Sequence, residues 1–179
     1  MMANSARDPY WHAGVRRETI DHPELRAAIE DQCTTCHMPM GRTLAVHFGG
    51  SGELLKYLDA PATERDQAFR HLAFDGVSCS LCHQITATNQ GQPPSFDGGY
   101  VIDLKNAGGP RPVYGPFDVD AGRQRVMQSS STFQPNASAH IRQAEFCAGC
   151  HTLYTKPANA KSDDVEFPEQ MPYREWLHS

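Results

Sequence analysis

The sequence predicts a mainly α-helical chain with long irregular loops and at most a small β-hairpin. Three observations predict it. Segments with apolar residues at helical spacing and recognisable caps lead into three C-x-x-C-H units, at Cys33–His37, Cys79–His83 and Cys147–His151. Between them the 179-residue chain spends 14 Gly and 13 Pro, so much of the connecting chain is irregular. Only GGYVIDL, ending at Leu104, alternates in a way that suits one half of a hairpin.

Taken in order, residues 1–20 are polar with no clear period, and DPYW at Asp8 to Trp11 reads as a turn followed by an aromatic anchor that packs on a haem edge or covers a core. The first helix is expected over DHPELRAAIEDQCTTCH, with Asp21 as N-cap, Glu24 as its capping-box partner and Pro23 near the first position. Leu25, Ala28, Ile29 and Gln32 form its stripe, and the helix ends at Pro39. Met38 and Met40 read as packing residues. A short helix is expected in SGELLKYLD, and another from a Thr63 cap to a Gly76 stop with Ala68, Phe69 and Leu72 inward and His71 facing solvent.

Residues 84–134 form a long insertion rich in Gly, Pro, Ser and Asn, with YGPF at Tyr114 to Phe117 as a turn. A loop of this length covers or binds something. SAHIRQAEFCAGCH reads as a helix capped at Ser138, TLYTKPANAKSDDVEF as a polar loop, and PEQMPYREWLHS as the start of a helix with Trp176 inward. Asn136-Ala-Ser138 matches a glycosylation sequon and is taken as coincidence.

All six cysteines fall into the three C-x-x-C pairs, and His follows each. With nine His in 179 residues, one such coincidence has a chance of about 5% and three together about one in ten thousand. C-x-x-C-H is the pattern of c-type haem attachment. The thiols of Cys33, Cys36, Cys79, Cys82, Cys147 and Cys150 add to porphyrin vinyl groups, and His37, His83 and His151 become proximal iron ligands. Three covalent haems are the expectation. A zinc module built from two C-x-x-C pairs is the alternative use of these thiols, but it leaves one pair over and gives the histidines no shared reason.

Haem also accounts for the composition. The chain is 39% hydrophobic with a mean hydropathy of −0.55, low for a protein-only core. The expected architecture is therefore that of a multihaem cytochrome c, with haems forming the core of one domain over residues 1–179, or of a fragment of a larger multihaem protein. For sixth ligands, His47 and His140 are candidates; His140 lies seven residues before Cys147, about 10 Å along a helix, and so points to a neighbouring centre. His178 is a further candidate beside Trp176.

The formal charge of −5 leaves Lys and Arg fewer than Asp and Glu, and scattered, which argues against nucleic acid. An acidic surface suits redox partners with basic patches, as electron donor and acceptor. No apolar run reaches 18 residues, so no transmembrane segment is expected. Attachment of haem to C-x-x-C-H places the protein in the periplasm or outside the cell, with a signal peptide absent from this chain.

On DPYW, CTTCHMPM followed by His47-Phe48, DGVSCSLCHQI, VYGPF, HIRQAEFCAGCHTLYT and FPEQMPYREWLHS, the chain resembles multihaem c-type cytochromes related to the cytochrome c554 group. The resemblance runs over most of the chain. It implies a mostly helical fold with closely packed haems, proximal roles for His37, His83 and His151, and distal roles for His140 (first haem) and His47 (a later haem). The group carries four haems and this chain has three motifs; the sixth ligand of the second haem stays unassigned. Electron transfer through mostly bis-His haems is the function this implies. The alternatives are a haem enzyme whose open-site haem acts on a small nitrogen or oxygen compound, and a haem-bearing module of a larger cytochrome or filament that assembles with further cytochrome units.

Overall fold

Asp8 and Pro9 open the first helix, where sequence reasoning expected only a turn. In the computed structural model, which describes residues 2–58, 63–104, 110–157, 160–161 and 163–179, α1 spans Pro9–Asp21. The Asp8 carboxylate accepts the Tyr10 N–H, and Pro9 sits at the start, where its missing N–H costs nothing. Trp11, Val15 and Thr19 recur every four residues and turn inward, Val15 and Thr19 fully buried.

The chain divides into two compact units, Met1–Leu81 and Cys82–Ser179. The first is helical: α1, α2 (Arg26–His37), α3 (Pro39–His47), α4 (Leu54–Leu58), α5 (Glu64–Phe74) and most of α6 (Cys79–Cys82), with 3-10 turns at Met2–Arg7 and Pro23–Leu25. Its core is Ala6, Val15, Met38, Leu54, Tyr57 and Ala73, with Trp11, Ile29, Phe69 and Phe74 packed against it. Gly41 is where α3 meets α5: a Cβ there would sit 2.8 Å from both Cα and Cβ of Ala73.

Several expectations change here. Asp21 ends α1 instead of capping the next helix, and its carboxylate pairs with Arg17 one turn back. The buried face of α2 is Glu30, Thr34 and Thr35, not the stripe through Ala28 and Gln32, which are exposed. Burial of these polar residues is tolerated because each is bonded: Glu30 accepts from Arg26 and from the Leu55 N–H, and both threonines donate to the Asp31 carbonyl. Met38 is buried in the core, in line with a packing role. α5 keeps its expected bounds: Thr63 accepts the Asp66 N–H, and Gly76, with φ +59°, lies just beyond its end. Its buried residue is Ala73, whereas Ala68 is exposed and Phe69 and Leu72 are half-buried.

The second unit mixes short elements: β1 (Pro112–Gly115), α7 (Ala121–Ser131), β2 (Gln134–Ala137), α8 (Ala148–His151), β3 (Leu153–Thr155), β4 (Phe167–Gln170) and α9 (Pro172–Trp176). β1 and β2 pair in parallel, Tyr114 opposite Asn136, with α7 as the crossover; β3 and β4 pair antiparallel, Leu153 opposite Gln170. GGYVIDL contributes one isolated bridge, Ile102 to Ile85, so the antiparallel pair lies later than expected. The helix expected from Ser138 is two 3-10 turns, Ala139–Arg142 and Ala144–Cys147, followed by α8. Phe96, Ala148 and Tyr173 form the core cluster. Trp176 is 53% exposed and stacks on Tyr173, so Tyr173 is the inward aromatic of α9. No helix among the described residues is long and apolar enough to cross a membrane.

Candidate functional site

Each C-x-x-C-H lies on a helical turn. Cys33 and Cys36 are in α2 and His37 is its last residue; Cys79 and Cys82 bound α6 and His83 follows in a turn; Cys147 ends a 3-10 turn and Cys150 and His151 lie in α8. On a regular α-helix residues at i, i+3 and i+4 share one face; of the three motifs the first lies wholly within one α-helix, α2. Cys79 and Cys147 are exposed, whereas Cys33, Cys36, Cys82 and Cys150 are half-buried.

The first motif is braced by Asp31. Its carboxylate accepts from Arg42 Nε at 3.1 Å and Nη2 at 2.9 Å, and from the Gly52 N–H at 2.6 Å. Burial pushes the Asp31 pKa up and is the largest single influence; the bonds from Arg42 and Gly52 together outweigh it and hold the carboxyl below its usual range. Ser5 Oγ donates to the His37 carbonyl at 2.8 Å. The His37 ring lies flat on Trp11, centroids 4.5 Å apart and planes 7° apart. Burial pushes His37 below the usual histidine range, against a hydrogen bond from its ring to the Ser5 main chain and the Asp8 charge. Its Nδ1 is buried without a hydrogen-bond partner among the described residues. A cleft of about 800 Å³ opens beside it, lined by His37 and residues between Met2 and Pro9.

His83 is held differently. Tyr114 N–H donates to the His83 carbonyl at 2.7 Å, and the His83 Nδ1–H donates to the Tyr114 carbonyl. That bond fixes the tautomer and leaves Nε2 as the nitrogen with a lone pair, the arrangement that metal-bound histidines adopt. The third motif is clasped by the loop before it: Gly98 N–H donates to the Gly149 carbonyl at 2.7 Å, Asp97 N–H to the Thr152 carbonyl at 3.0 Å, and Tyr154 N–H to Asp97 Oδ1 at 2.6 Å. Burial raises the Asp97 pKa, with the Tyr154 bond acting against it and Glu166 adding to it. The long insertion thus supplies backbone contacts to both motifs of this unit.

The other candidate histidines are spread out. His140 is buried, its Nε2–H donating to the Ile85 carbonyl at 2.9 Å and its Nδ1 accepting from Ser138 Oγ at 2.6 Å; Tyr114 meets its ring edge-on at 5.0 Å. In this arrangement both nitrogens have protein partners, and ligation of iron through Nε2 requires release of Ile85. His47 is exposed at the end of α3 against the edge of Phe48, and His178 is exposed beyond α9. Sequence reasoning missed three residues that position the motifs: Asp31, Tyr114 and Trp11 as a partner of His37. Tyr114 acts through its backbone, which leaves no residue-type signal; Trp11 carries one, the i, i+4 spacing to Val15.

Two thiols and an imidazole per motif are the residue types that covalent haem would need. The cleft beside His37 is lined by His37 and by residues between Met2 and Pro9, with the thiols of Cys33 and Cys36 outside that lining. Among the described residues no group of three or more His, Cys, Asp or Glu side chains is placed to hold a metal ion. No protein-family model, no curated protein and no solved structure matches the chain.

Proposed function

We propose that the chain is an electron-transfer protein carrying three covalent c-type haems in the periplasm or outside the cell. The observation that carries the reading is the threefold recurrence of C-x-x-C-H, each time on or directly beside a helical turn. Cys33 and Cys36, Cys79 and Cys82, and Cys147 and Cys150 would hold the porphyrins, and His37, His83 and His151 would hold iron on the proximal side. His140, His47 and His178 are the proposed distal ligands; the exposure of His47 and His178 leaves them accessible, and His140 must first give up Ile85.

Bound haem supplies a one-electron Fe(III)/Fe(II) couple. The chain's own part is to fix geometry and exclude alternatives. Tyr114 holds the His83 ring in one tautomer, Trp11 holds the plane of His37, and the Asp97–Gly98 loop clasps the third motif. With haem bound, a distal imidazole opposite the proximal one would supply a couple of lower potential than Met/His ligation. The small protein cores, six buried side chains in one unit's cluster and three in the other's, suit a chain whose cofactors complete its interior.

The test is ferric EPR with iron counted on the same sample, on protein matured in a periplasm. Three irons and three low-spin signals are expected. One high-spin signal beside two low-spin ones would move the reading to an open-site haem enzyme, with nitrite, hydroxylamine or peroxide as the next ligands to try. Absence of covalent haem would overturn the proposal.

A further inference from the structure

We infer that a second pocket of the first unit, lined by Arg7, Arg70, His71 and Phe74, is a binding site for an oxyanion, a carboxylate or phosphate group. Its volume is about 290 Å³, at the small end of ligand sites. Two guanidiniums line it, and main-chain bonds hold both. Arg7 Nε donates to the Phe74 carbonyl at 2.9 Å, which ties the 3-10 turn Met2–Arg7 to the end of α5. Arg70 Nε donates to the Tyr57 carbonyl of α4 at 3.0 Å, and its Cζ lies 5.4 Å from the centre of the Phe74 ring.

An arginine carries five N–H donors in a planar fork. With Nε on a carbonyl, the plane of each fork is fixed, and Nη1 and Nη2 form the edge that takes a carboxylate or phosphate in two parallel bonds. The entropy of ordering these long side chains is thus lost on folding and not again on binding. His71 adds a ring N–H, and Phe74 an apolar wall. The first unit has another pocket between arginines, lined by Arg16, Thr19, Ile20, Arg26 and Leu55. There Arg26 Nε already bonds the Glu30 carboxylate at 2.8 Å, which offsets its charge. Arg7 also lines the cleft beside His37. The anion therefore has two possible sources: a dissolved carboxylate or phosphate or, on the haem reading, a propionate of a porphyrin held at the first motif.

The test is isothermal titration calorimetry of the intact, matured protein with inorganic phosphate at low salt, after its covalent haems have been counted. Saturable binding at one site is expected. Arg7→Gln and Arg70→Gln should each weaken it about tenfold, the effect of losing a charge-assisted bond. Arg16→Gln, the same charge change at the other pocket, should weaken it less than about twofold, because salt screens distant charges. A parent that binds no phosphate, with one haem midpoint that falls in Arg7→Gln and Arg70→Gln and not in Arg16→Gln, supports the site with a propionate as its occupant; losing a cation there favours the more highly charged ferric iron. Neither phosphate binding nor such a shift overturns the inference. So does phosphate binding that Arg7→Gln and Arg70→Gln weaken no more than Arg16→Gln does. Should Arg7→Gln not fold, Arg7→Lys, which keeps the charge and loses the fork, takes its place and should also bind more weakly than the parent. Absence of covalent haem overturns the haem reading, and phosphate binding then decides this inference alone.

Discussion

Tyr114 grips His83 with both of its backbone groups, its N–H donating to the His83 carbonyl at 2.7 Å and its carbonyl accepting from the imidazole. The N–H is thus spent on the motif and not on the ladder to β2. Tyr114→Pro should therefore leave the β1–β2 pairing formed while removing one bond to His83. Proline is tolerated where the N–H faces away from the ladder. Loss of this bond, with the His83 carbonyl left unsatisfied, should cost about 1–2 kcal/mol in urea unfolding. In the matured protein the low-spin signal of the second motif should broaden while the other two stay sharp. Unchanged stability and spectra would mean that this clasp is dispensable.

Where α3 crosses α5, the side chain is limiting rather than the backbone. A Cβ on Gly41 would lie 2.8 Å from the Cα and Cβ of the fully buried Ala73, and a Cα cannot yield without moving its helix. Gly41→Ala should destabilise by about 1–3 kcal/mol through overpacking. Gly14, inside α1 with nothing within 4 Å of its virtual Cβ, is the control. There the same change should stabilise by about 0.5–1 kcal/mol, because Ala favours a helix interior. Thermal unfolding of the two variants should move in opposite directions; a matching shift would refute the contact.

Two of the helices that were legible in the sequence carry a chemical mark at an end. α5 shows Thr63 and Gly76, and α2 is stopped at Met38–Pro39. α1 and α7 were missed for related reasons. The inward stripe of α1 is Trp11, Val15 and Thr19, and the hydroxyl breaks the apolar pattern. α7 has no buried residue among those described, and its Val126 and Met127 are exposed, so its one signal was Asp120, whose carboxylate caps Gly122 and Arg123. The hairpin was sought in GGYVIDL because Val, Ile and Tyr favour strands, yet the pairing that forms joins Leu153–Thr155 to Phe167–Gln170, set by long-range contacts that propensity does not carry. At the site, the motif residues were legible because the C-x-x-C-H spacing recurs three times. Tyr114 and the Asp97–Gly98 loop were not, because main-chain hydrogen bonds make no demand on side-chain identity.

Asp31 should make the first unit sensitive to acid. Its folded-state pKa lies below the unfolded value of about 3.9, so the unfolded chain takes up a proton first as the pH falls. The stabilisation is complete above about pH 3.9 and is lost as the pH falls through the lower, folded value. Asp31→Asn removes the ion pair with Arg42, whose partners are 29% and 27% exposed. With that exposure, solvent screening holds the expected loss at pH 7 to about 1 kcal/mol. The gap between variant and parent in urea midpoint should shrink below about pH 4, where the parent carboxylate protonates too. A gap that stayed constant down to pH 2 would place the effect in packing and not in charge.

Cys147 separates the cofactor's contribution from that of the thiol. Its side chain is exposed, so it packs little, and Cys147→Ala should leave the stability of haem-free protein within about 0.5 kcal/mol of the parent. On the proposed haem reading, the same change in matured protein would remove one of two thioethers at the third motif, next to the clasp of Asp97 and Gly98. Covalent haem at that motif should fall while the other two stay filled, and the thermal midpoint should drop, because cofactor binding and folding are coupled. Mass spectrometry of the denatured protein reads the first effect and a melting curve the second. Three haems retained at the parent's yield would show that Cys150 and the clasp suffice, and would remove Cys147 from the attachment chemistry.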